Sequence, residues 1–491
     1  KALEANTSGI NVGVGYRALD ANTTGTSNVA FGVDALGGNV DGDQSVAIGH
    51  EALLVQDPSS NVDMNNVAVG YRAGYAVTTG TSNVLMGAGA GDAVTTGTNN
   101  TFIGHDAGGL NTTASNNVAL GYAALNQNST GTNNVAIGTN AVDACTTGNH
   151  LVGIGYQALS AVTTGQFSIG IGKDAGLSIT DGDANTLIGY HCGDAITTGD
   201  YNTMVGANAG SATTTVPNVN AFGYNALTAN TTGQSLCAFG SYALDANETA
   251  NDNAAFGHHA MSANTTGTGN NAFGSSSLDA NTTGSYNTAV GHAALGANTT
   301  ASNNTAVGYG ALILSETGAN NTALGYNAGA AVTTGSRNTL LGKQAGDALT
   351  EAVECVIIGN NAGSALTTGN QNILIGDNAA AGGAITGNLN VVIGDNAGYA
   401  MAGDTNGNTL IGSATGDAIT TGDNNTAVGA YALTSEDESS AITAIGYNCG
   451  NNHNGGTANT MVGAYCADAV TTGTANTYVG DSCAGIATTG S

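Results

Sequence analysis

The sequence predicts an all-β fold, a parallel β-solenoid of about 28 coils, and a short repeat is the first reason. Segments such as Asn134–Gly138 (NVAIG) and Asn304–Gly308 (NTAVG) recur along the whole chain, and each ends at a glycine. From Gly15 to Gly480 these glycines follow one another at intervals of 17 residues, except for one interval of 21 and two of 18. Seventeen residues are too few for two packed helices, so each repeat is interpreted as one solenoid coil stacked on its neighbours.

Each coil contains one predicted strand, and its positions are counted here from the glycine, which is position 0. Positions −3 to −1 carry apolar or β-branched residues, which favour a strand. Alternation with a period of two predicts that positions −3 and −1, such as Ile137 and Val307, face the core. Position −2 then points to the opposite face, yet it is apolar in repeats such as those of Phe102 and Leu187. Apolar residues on both faces predict that both are covered, and therefore a homo-oligomer, with three copies around an axis as the expected arrangement.

Glycines and polar residues predict the rest of the coil. The glycine at position 0 turns the chain after the strand by adopting a positive φ angle; the reference glycines are Gly138, Gly155 and Gly308. A small residue, usually Ala, stands at position +3, and a second short extended run is predicted after it. Thr-Thr-Gly, as in Thr23–Gly25, predicts the next corner. The asparagine at position −4, represented by Asn134 and Asn304, predicts a ladder of stacked side-chain amides.

The composition is uniform from end to end, so the sequence predicts a single continuous repeat domain over residues 1–491. The interval of 21 residues places four extra residues within Leu53–Asn65, where an insertion is expected to project as a loop and to provide a specific contact surface. Neither end of the chain carries a capping element. This predicts either a segment of a longer fibre or a subunit that stacks end to end.

Charge and composition exclude several classes of function. The chain has 6 Lys and Arg residues against 34 Asp and Glu residues, a formal net charge of −28. So few cations exclude binding to a nucleic-acid backbone or to an anionic membrane surface. No apolar run is long enough for membrane insertion. The eight histidines are scattered and form no catalytic or metal-binding motif, so no enzymatic activity is expected.

The cysteines and two aspartate pairs are the remaining candidates for special chemistry. Seven cysteines at wide spacing argue against a disulfide framework. The last three occupy position +3 of consecutive coils, where they are expected to be small buried residues, with a bridge between chains as the alternative: Cys449, Cys466 and Cys483. Stacked carboxylates repel unless a cation bridges them, and oxygen-rich turns bind Ca²⁺. Calcium is therefore a candidate cofactor, with solvated turn residues as the alternative, at Asp183 and Asp200 (position +11) and at Asp377 and Asp395 (position +1).

One segment shows a resemblance to known repeats. Residues 287–300 read NTAVGHAALGANTT. This motif resembles the head repeats of YadA-type trimeric autotransporter adhesins and, still more, the repeats of bacterial and phage tail-fibre proteins. The resemblance spans the whole chain. It implies a left-handed parallel β-roll, three chains together, and an attachment role at a cell or virion surface. The coil is longer here than in the adhesin heads.

These observations predict a structural protein outside the cell, at a cell or virion surface. The predicted function is that of a fibre shaft or adhesin head whose rigid, repetitive rod mediates attachment, with copies of itself and a host-surface glycan or receptor as partners. One alternative is the subunit of a self-polymerising extracellular filament. The alternative from another class is an ice-binding or glycan-binding solenoid, because the Thr-Thr columns form a ladder of hydroxyl groups.

Overall fold

The computed structural model describes residues 1–7 and 9–484, so the end of the repeat domain from residue 485 lies outside the described residues. The fold is an all-β parallel β-solenoid of about 28 coils with 17-residue spacing, which confirms the predicted class and period. The chain divides into two compact units, Lys1–Thr249 and Ala250–Ser491, and each is described by itself. The single continuous domain stays a prediction.

Short strands follow one another in both units. In the first unit they are β1 (Val12–Val14), β2 (Val29–Phe31), β3 (Gly42–Asp43), β4 (Val46–Ile48), β5 (Val62–Asp63), β6 (Val67–Val69), β7 (Val84–Met86), β8 (Thr101–Ile103), β9 (Val118–Leu120), β10 (Val135–Ile137), β11 (Val152–Ile154), β12 (Ile169–Ile171), β13 (Thr186–Ile188), β14 (Thr203–Val205), β15 (Val219–Phe222) and β16 (Leu236–Phe239). In the second unit they are β17 (Ala254–Phe256), β18 (Asn271–Phe273), β19 (Thr288–Val290), β20 (Thr305–Val307), β21 (Thr322–Leu324), β22 (Thr339–Leu341), β23 (Val356–Ile358), β24 (Ile373–Ile375), β25 (Val391–Ile393), β26 (Thr409–Ile411), β27 (Thr426–Val428), β28 (Thr443–Ile445), β29 (Thr460–Val462) and β30 (Thr477–Val479).

Within a unit, the strands of successive coils pair in parallel and in register. In β10 and β11, for example, Val135 lies beside Val152 and Ile137 beside Ile154. Equivalent residues of successive coils therefore form columns along each unit. The exceptions are β3 and β5, which pair with each other in a separate two-stranded sheet.

The strand faces the core with position −2, whereas the sequence predicted positions −3 and −1. Ala136 and Ala306 at position −2 are fully buried, whereas Ile137 and Val307 at position −1 are partly exposed. A three-residue strand turns only its middle side chain inward, so position −2 lies inside both where it is Ala and where it is large, as in Phe102. The expectation that position −2 is an outer column requiring a partner is therefore wrong.

Side chains at position −2 pack against those at position +4 with complementary sizes. Where position −2 is Ala, position +4 is usually Leu, as in Ala306 and Leu312, both fully buried. Where position −2 is large, position +4 is usually Gly: a β-carbon on Gly108 would lie 2.5 Å from the ring of Phe102. The contact also crosses coils, because a β-carbon on Gly91 would lie 3.1 Å from the same ring. Each coil thus fills its interior jointly with the next coil.

Turns replace the second extended run that was predicted after the glycine. In the coil of Gly138, the amide of Ala141 bonds to the carbonyl of Gly138 (3.3 Å), and the amide of Cys145 bonds to that of Val142 (3.4 Å). Asn140 and Val142 adopt left-handed φ angles of 53° and 52°. Alternating left-handed residues curl the backbone, and this keeps it from forming a strand.

The anchoring glycine is required by close contact between coils. Gly138 has a φ of 133°, and a β-carbon there would lie 2.3 Å from the carbonyl oxygen of Gly155. The same relation holds between Gly308 and Gly325, at 2.2 Å. Any side chain at this position would push neighbouring coils apart.

Asparagines at position −4 form a buried ladder. The backbone amide of Asn134 donates to Oδ1 of Asn117 (2.9 Å), and Oδ1 of Asn134 accepts the amide of Leu151 (2.9 Å). Nδ2 of Asn134 donates to the carbonyl of Gly148 (2.9 Å). Asn304 repeats the pattern. Each asparagine side chain thus provides hydrogen-bond partners for backbone groups in a buried corner of the coil.

Candidate interaction surface

Positions −3 and −1 form the exposed side of the sheet in each unit and are called the apolar face. Every strand end at position −1 is apolar, with exposed members such as Phe31 and Leu120 in the first unit and Phe273 and Leu324 in the second. No residue at position −3 or −1 is charged. The sequence analysis named this column, in Ile137 and Val307, but assigned it to the core.

The two residues after the glycine form the edge beside the apolar face, and positions +1 and +2 are called the aromatic ridge. This edge carries 12 of the 17 tyrosines: Tyr16, Tyr71, Tyr122, Tyr156, Tyr190, Tyr224, Tyr242, Tyr309, Tyr326, Tyr431, Tyr447 and Tyr465. Six of the eight histidines also lie there: His50, His105, His191, His258, His259 and His292. This concentration of tyrosine and histidine was not predicted, although the register of the repeat is sufficient to reveal it.

Rings in successive coils of the ridge stack on one another. His50 and Tyr71 have centroids 5.7 Å apart and planes inclined by 20°, and His105 and Tyr122 follow the same geometry at 5.5 Å and 21°. In the second unit, Tyr309 and Tyr326 stack at 5.4 Å. The one-coil offset of the backbone therefore sets the spacing of the rings.

A charged cluster interrupts the ridge in the first unit. The amino group of Lys173 lies 5.8 Å and 5.2 Å from the ring centroids of Tyr156 and Tyr190, and it pairs with Asp174. This hydrogen bond to Asp174 is the main reason why the pKa of Lys173 is raised. Asp174 also lies 3.4 Å from Nε2 of His191. The positive charge of Lys173 is therefore balanced by a neighbouring carboxylate.

The Thr-Thr corners form a third column. At position +8 the hydroxyl of Thr146 donates to the carbonyl of Thr163 (3.2 Å), and that of Thr163 donates to the carbonyl of Thr180 (3.1 Å). These hydroxyl groups therefore stabilise the stack. The second threonine of each pair, such as Thr147, is exposed.

The predicted aspartate pairs form internal hydrogen bonds. Oδ1 of Asp183 accepts the amide of Gln166 and Oδ1 of Asp200 accepts the amide of Asp183, each at 2.7 Å. Asp377 accepts from Nδ2 of Asn360 (2.8 Å), and both Asp377 and Asp395 are exposed. Among the described residues there is no group of three or more His, Cys, Asp or Glu side chains arranged to bind a metal. Calcium binding stays a prediction.

A further acidic column lies at position +5. Burial raises the pKa of Asp143 in the first unit and of Asp279 in the second, while backbone amides partly offset this effect. Asp347 and Asp417 behave in the same way. These carboxylates are held against the backbone of the turn.

The three consecutive cysteines divide into a bonded pair and one free thiol. Cys466 and Cys483 form a disulfide within the chain, with their Cα atoms 4.8 Å apart, so this bond is not the bridge between chains considered above. Cys449 is free and buried, and burial raises its pKa to about 11. Burial likewise raises the pKa of Cys145 to about 11 and that of Cys192 to about 12, so these thiols stay protonated and unreactive.

A buried hydrogen-bonded pair of titratable side chains in the second unit was not predicted from the sequence. Glu436 and His453 occupy position +7 of consecutive coils, fully buried, with 2.6 Å between Oε2 and Nδ1. The amide of Ser439 donates to Oε1 of Glu436 (2.7 Å), and Nδ2 of Asn459 donates to Nε2 of His453 (3.0 Å). Nε2 is therefore an acceptor, and Nδ1 carries the proton that faces Glu436. Burial raises the pKa of Glu436, but the hydrogen bonds from His453 and Ser439 outweigh it, and the pKa lies below its ordinary value.

The insertion within Leu53–Asn65 folds back onto its coil. Val62–Asp63 pairs with Gly42–Asp43, and Pro58 and Met64 are buried. Gln56 is also buried, and its side chain joins the amide ladder through Asn66 (2.9 Å). Residues 59–63 and Asn65 are exposed, and the role of the insertion as a specific contact surface stays a prediction.

Comparisons with known proteins do not assign this chain to a family. No protein-family model matches the chain, and no curated protein is significantly similar to it. The described residues contain no helix with the length and apolar character needed to span a membrane, and they enclose no pocket.

Proposed function

We propose that this protein is a structural component of an extracellular fibre or adhesin, and that copies associate through the apolar face, three around a common axis. The observation that carries the proposal is the apolar residue at position −1 of every coil, which is exposed or partly exposed. A continuous apolar column on a soluble protein marks an interaction site. The role of the solenoid is then to hold many weak contacts on one rigid support.

The distribution of charge favours a second copy of this chain as the occupant of the apolar face. Two chains that each carry a charge of −28 repel one another wherever their acidic columns meet. Positions −3 and −1 are uncharged in every coil, so this face permits close approach. Because both copies have the same coil spacing, the side chains of one face fit between those of the other along a whole unit.

The area of the apolar face is sufficient for stable association. Within one unit, 14 strands contribute a residue at position −1. At about 50 Å² of accessible surface each, they present about 700 Å² per unit, close to the ~800 Å² per partner of a standard protein interface. Position −3 adds further area.

The disulfide between Cys466 and Cys483 supports an extracellular location. Disulfides form and persist in oxidising environments and are rare in the cytosol. The attachment role and the number of three copies follow from the resemblance to adhesin and tail-fibre repeats.

Molar mass in solution tests the proposal. Light scattering on the wild type should give about three times 47.7 kDa. The double variant Ile137→Glu and Ile154→Glu places charges on the apolar face of adjacent coils and should reduce the mass to that of a monomer. The control, Thr147→Glu with Thr164→Glu, adds the same charges to exposed threonines of the same coils and should leave the mass unchanged.

Other masses would contradict the proposal. A wild-type monomer at micromolar concentration would rule out association through the apolar face. Masses that increase without limit with concentration would favour the self-polymerising filament. A control variant that dissociates as readily as the apolar-face variant would show that any added charge is sufficient.

A further inference from the structure

Several coils of the first unit lack a ring at position +1 of the aromatic ridge. Two of these gaps, at Ala88 and Thr139, adjoin stacked rings, and the first lies between two stacked pairs. His50 stacks on Tyr71, and two coils further on His105 stacks on Tyr122. Ala88 occupies position +1 of the coil in between. Both pairs stack along the direction in which the coils follow one another. The outer ring faces of Tyr71 and His105 therefore face each other across Ala88. Tyr71, Ala88 and His105 are called the first slot.

The second gap repeats this arrangement. Thr139 occupies position +1 between Tyr122 and Tyr156. One face of Tyr122 is covered by His105, and Lys173 of the following coil approaches Tyr156 at 5.8 Å from the ring centroid. The other face of Tyr122 is then directed at the gap, and Tyr156 borders the gap on its far side. Tyr122, Thr139 and Tyr156 are called the second slot.

The width of each slot suits a single six-membered ring. The flanking aromatic side chains are two coils apart, or about 9.6 Å at the usual distance between strands. A ring centred between them lies about 5 Å from each aromatic side chain, within the range of ~4.5–7 Å for stacking contacts. The small side chains of Ala88 and Thr139 leave this space open.

The surroundings of the slots select a polar ligand with hydroxyl groups. The three tyrosines of the slots are about half exposed, so an apolar side chain would not be removed from water there. Position +2 supplies planar hydrogen-bonding groups: Arg72 donates, Asp106 accepts, and the amides of Asn140 and Gln157 do both. Arg72 is already paired with Glu51 (3.5 Å), so its charge is balanced within the chain and does not favour an anionic ligand.

We propose that the two slots bind pyranose rings of one extended, uncharged glycan, each ring held between two aromatic faces. The proposal rests on the attachment function and assigns its ligand class and its site. The slots are three coils apart, about 14 Å. An oligosaccharide that spans both slots therefore gains affinity from the effective concentration of its second ring.

Filling the slots is the sharpest test, because it removes no aromatic residue. The double variant Ala88→Tyr with Thr139→Tyr completes the ring column and closes both slots. Ser413→Tyr is the matched control, since it adds a tyrosine at position +1 between Asp395 and Ala430, where no slot exists. Calorimetry and saturation-transfer NMR use cellohexaose, chitohexaose and maltohexaose as probes. We expect the wild type and the control to bind at least one probe, and the filled variant to bind it at least tenfold more weakly.

Three results would overturn the proposal that the slots bind a glycan. A wild type that binds none of the three probes, or a filled variant that binds as tightly as the wild type, overturns the proposal. A filled variant whose molar mass falls also overturns it, because the slots would then hold side chains of another copy. A wild type of oligomeric mass that binds no probe leaves the proposed fibre function standing and removes only the glycan site.

Discussion

At the scale of single residues, the columns differ in how strictly each position restricts its side chain. Gly138 is fixed by a positive φ and by the carbonyl of the next coil, whereas Thr139, one residue later, is exposed. The sequence marks the first kind of position by repetition, because the same contact recurs in every coil. It marks the second kind by variation, and this is why the ridge is harder to recognise than the glycine corner.

The buried pair of Glu436 and His453 predicts a pH-dependent stability. The pKa of Glu436 is lower in the folded protein than its ordinary value of 4.5, so its carboxylate stabilises the fold above that pH. This contribution is lost as the pH falls through the lower, folded value. Glu436→Gln should therefore lose less stability than the wild type between pH 6 and pH 3, measured as the shift in Tm by circular dichroism.

The neighbouring Glu438 supplies the control for this measurement. It is exposed, so Glu438→Gln should retain the pH dependence of the wild type. If Glu436→Gln and the wild type lose the same amount of stability on acidification, the buried pair does not control the acid response.

At the scale of the coil, the interior is built from complementary sizes at positions −2 and +4. The contact between Phe102 and Gly108 predicts a strongly non-additive double-mutant cycle. Phe102→Ala should cost ~3–5 kcal/mol through the cavity it leaves. Gly108→Leu should cost ~1–3 kcal/mol through overpacking. Together they recreate the pairing of Ala306 with Leu312, so the double variant should be close to wild type.

Urea unfolding monitored by circular dichroism measures the three free energies. The cycle has its own control, because Thr147 is exposed, lies two coils away and occupies a different corner of the coil. Thr147→Ala combined with Phe102→Ala should therefore be additive. Additive costs for Phe102→Ala and Gly108→Leu would show that the two positions do not share a space.

The sequence predicts the strand of each coil correctly but not its orientation. Positions −3, −2 and −1 are all apolar in many repeats, so the pattern of Val135, Ala136 and Ile137 fits either face. The length of the strand decides instead: only the middle of three side chains turns inward, so Ala136 is buried and Ile137 remains outside. The turn after the glycine was missed for a related reason, since left-handed residues such as Val142 have no sequence signature of their own.

At the scale of the whole molecule, charge opposes association and the apolar face favours it. The chain carries a net charge of −28, and raising the salt concentration from 0.1 M to 1 M shortens the Debye length from about 10 Å to about 3 Å. The proposed oligomer should therefore dissociate less on dilution at 1 M NaCl. Sedimentation velocity over a dilution series measures this, and weaker association in high salt would indicate an interface formed by ion pairs.

Period and class are predictable at this scale because they depend on regularities that every coil repeats. The candidate sites are less predictable because they depend on departures from the repeat. The slots beside Ala88 and Thr139 exist only because small residues interrupt a column of rings, and this is apparent once the stacking of those rings is known. The disulfide of Cys466 and Cys483 was anticipated only as stacked neighbours, since the sequence does not choose between pairing within and between chains.

The packing between positions −2 and +4 also has an evolutionary consequence. A solenoid gains or loses length by duplication or deletion of coils, and the glycine corners provide equivalent junctions for such recombination. Because position +4 of one coil also contacts position −2 of the next, a junction is tolerated only when the two sizes match. Coils like that of Ala306 and Leu312 join freely to their own kind. Coils with a large residue at position −2, such as that of Phe102, require a glycine in the preceding coil as well, so they are expected to be inherited together with that neighbour.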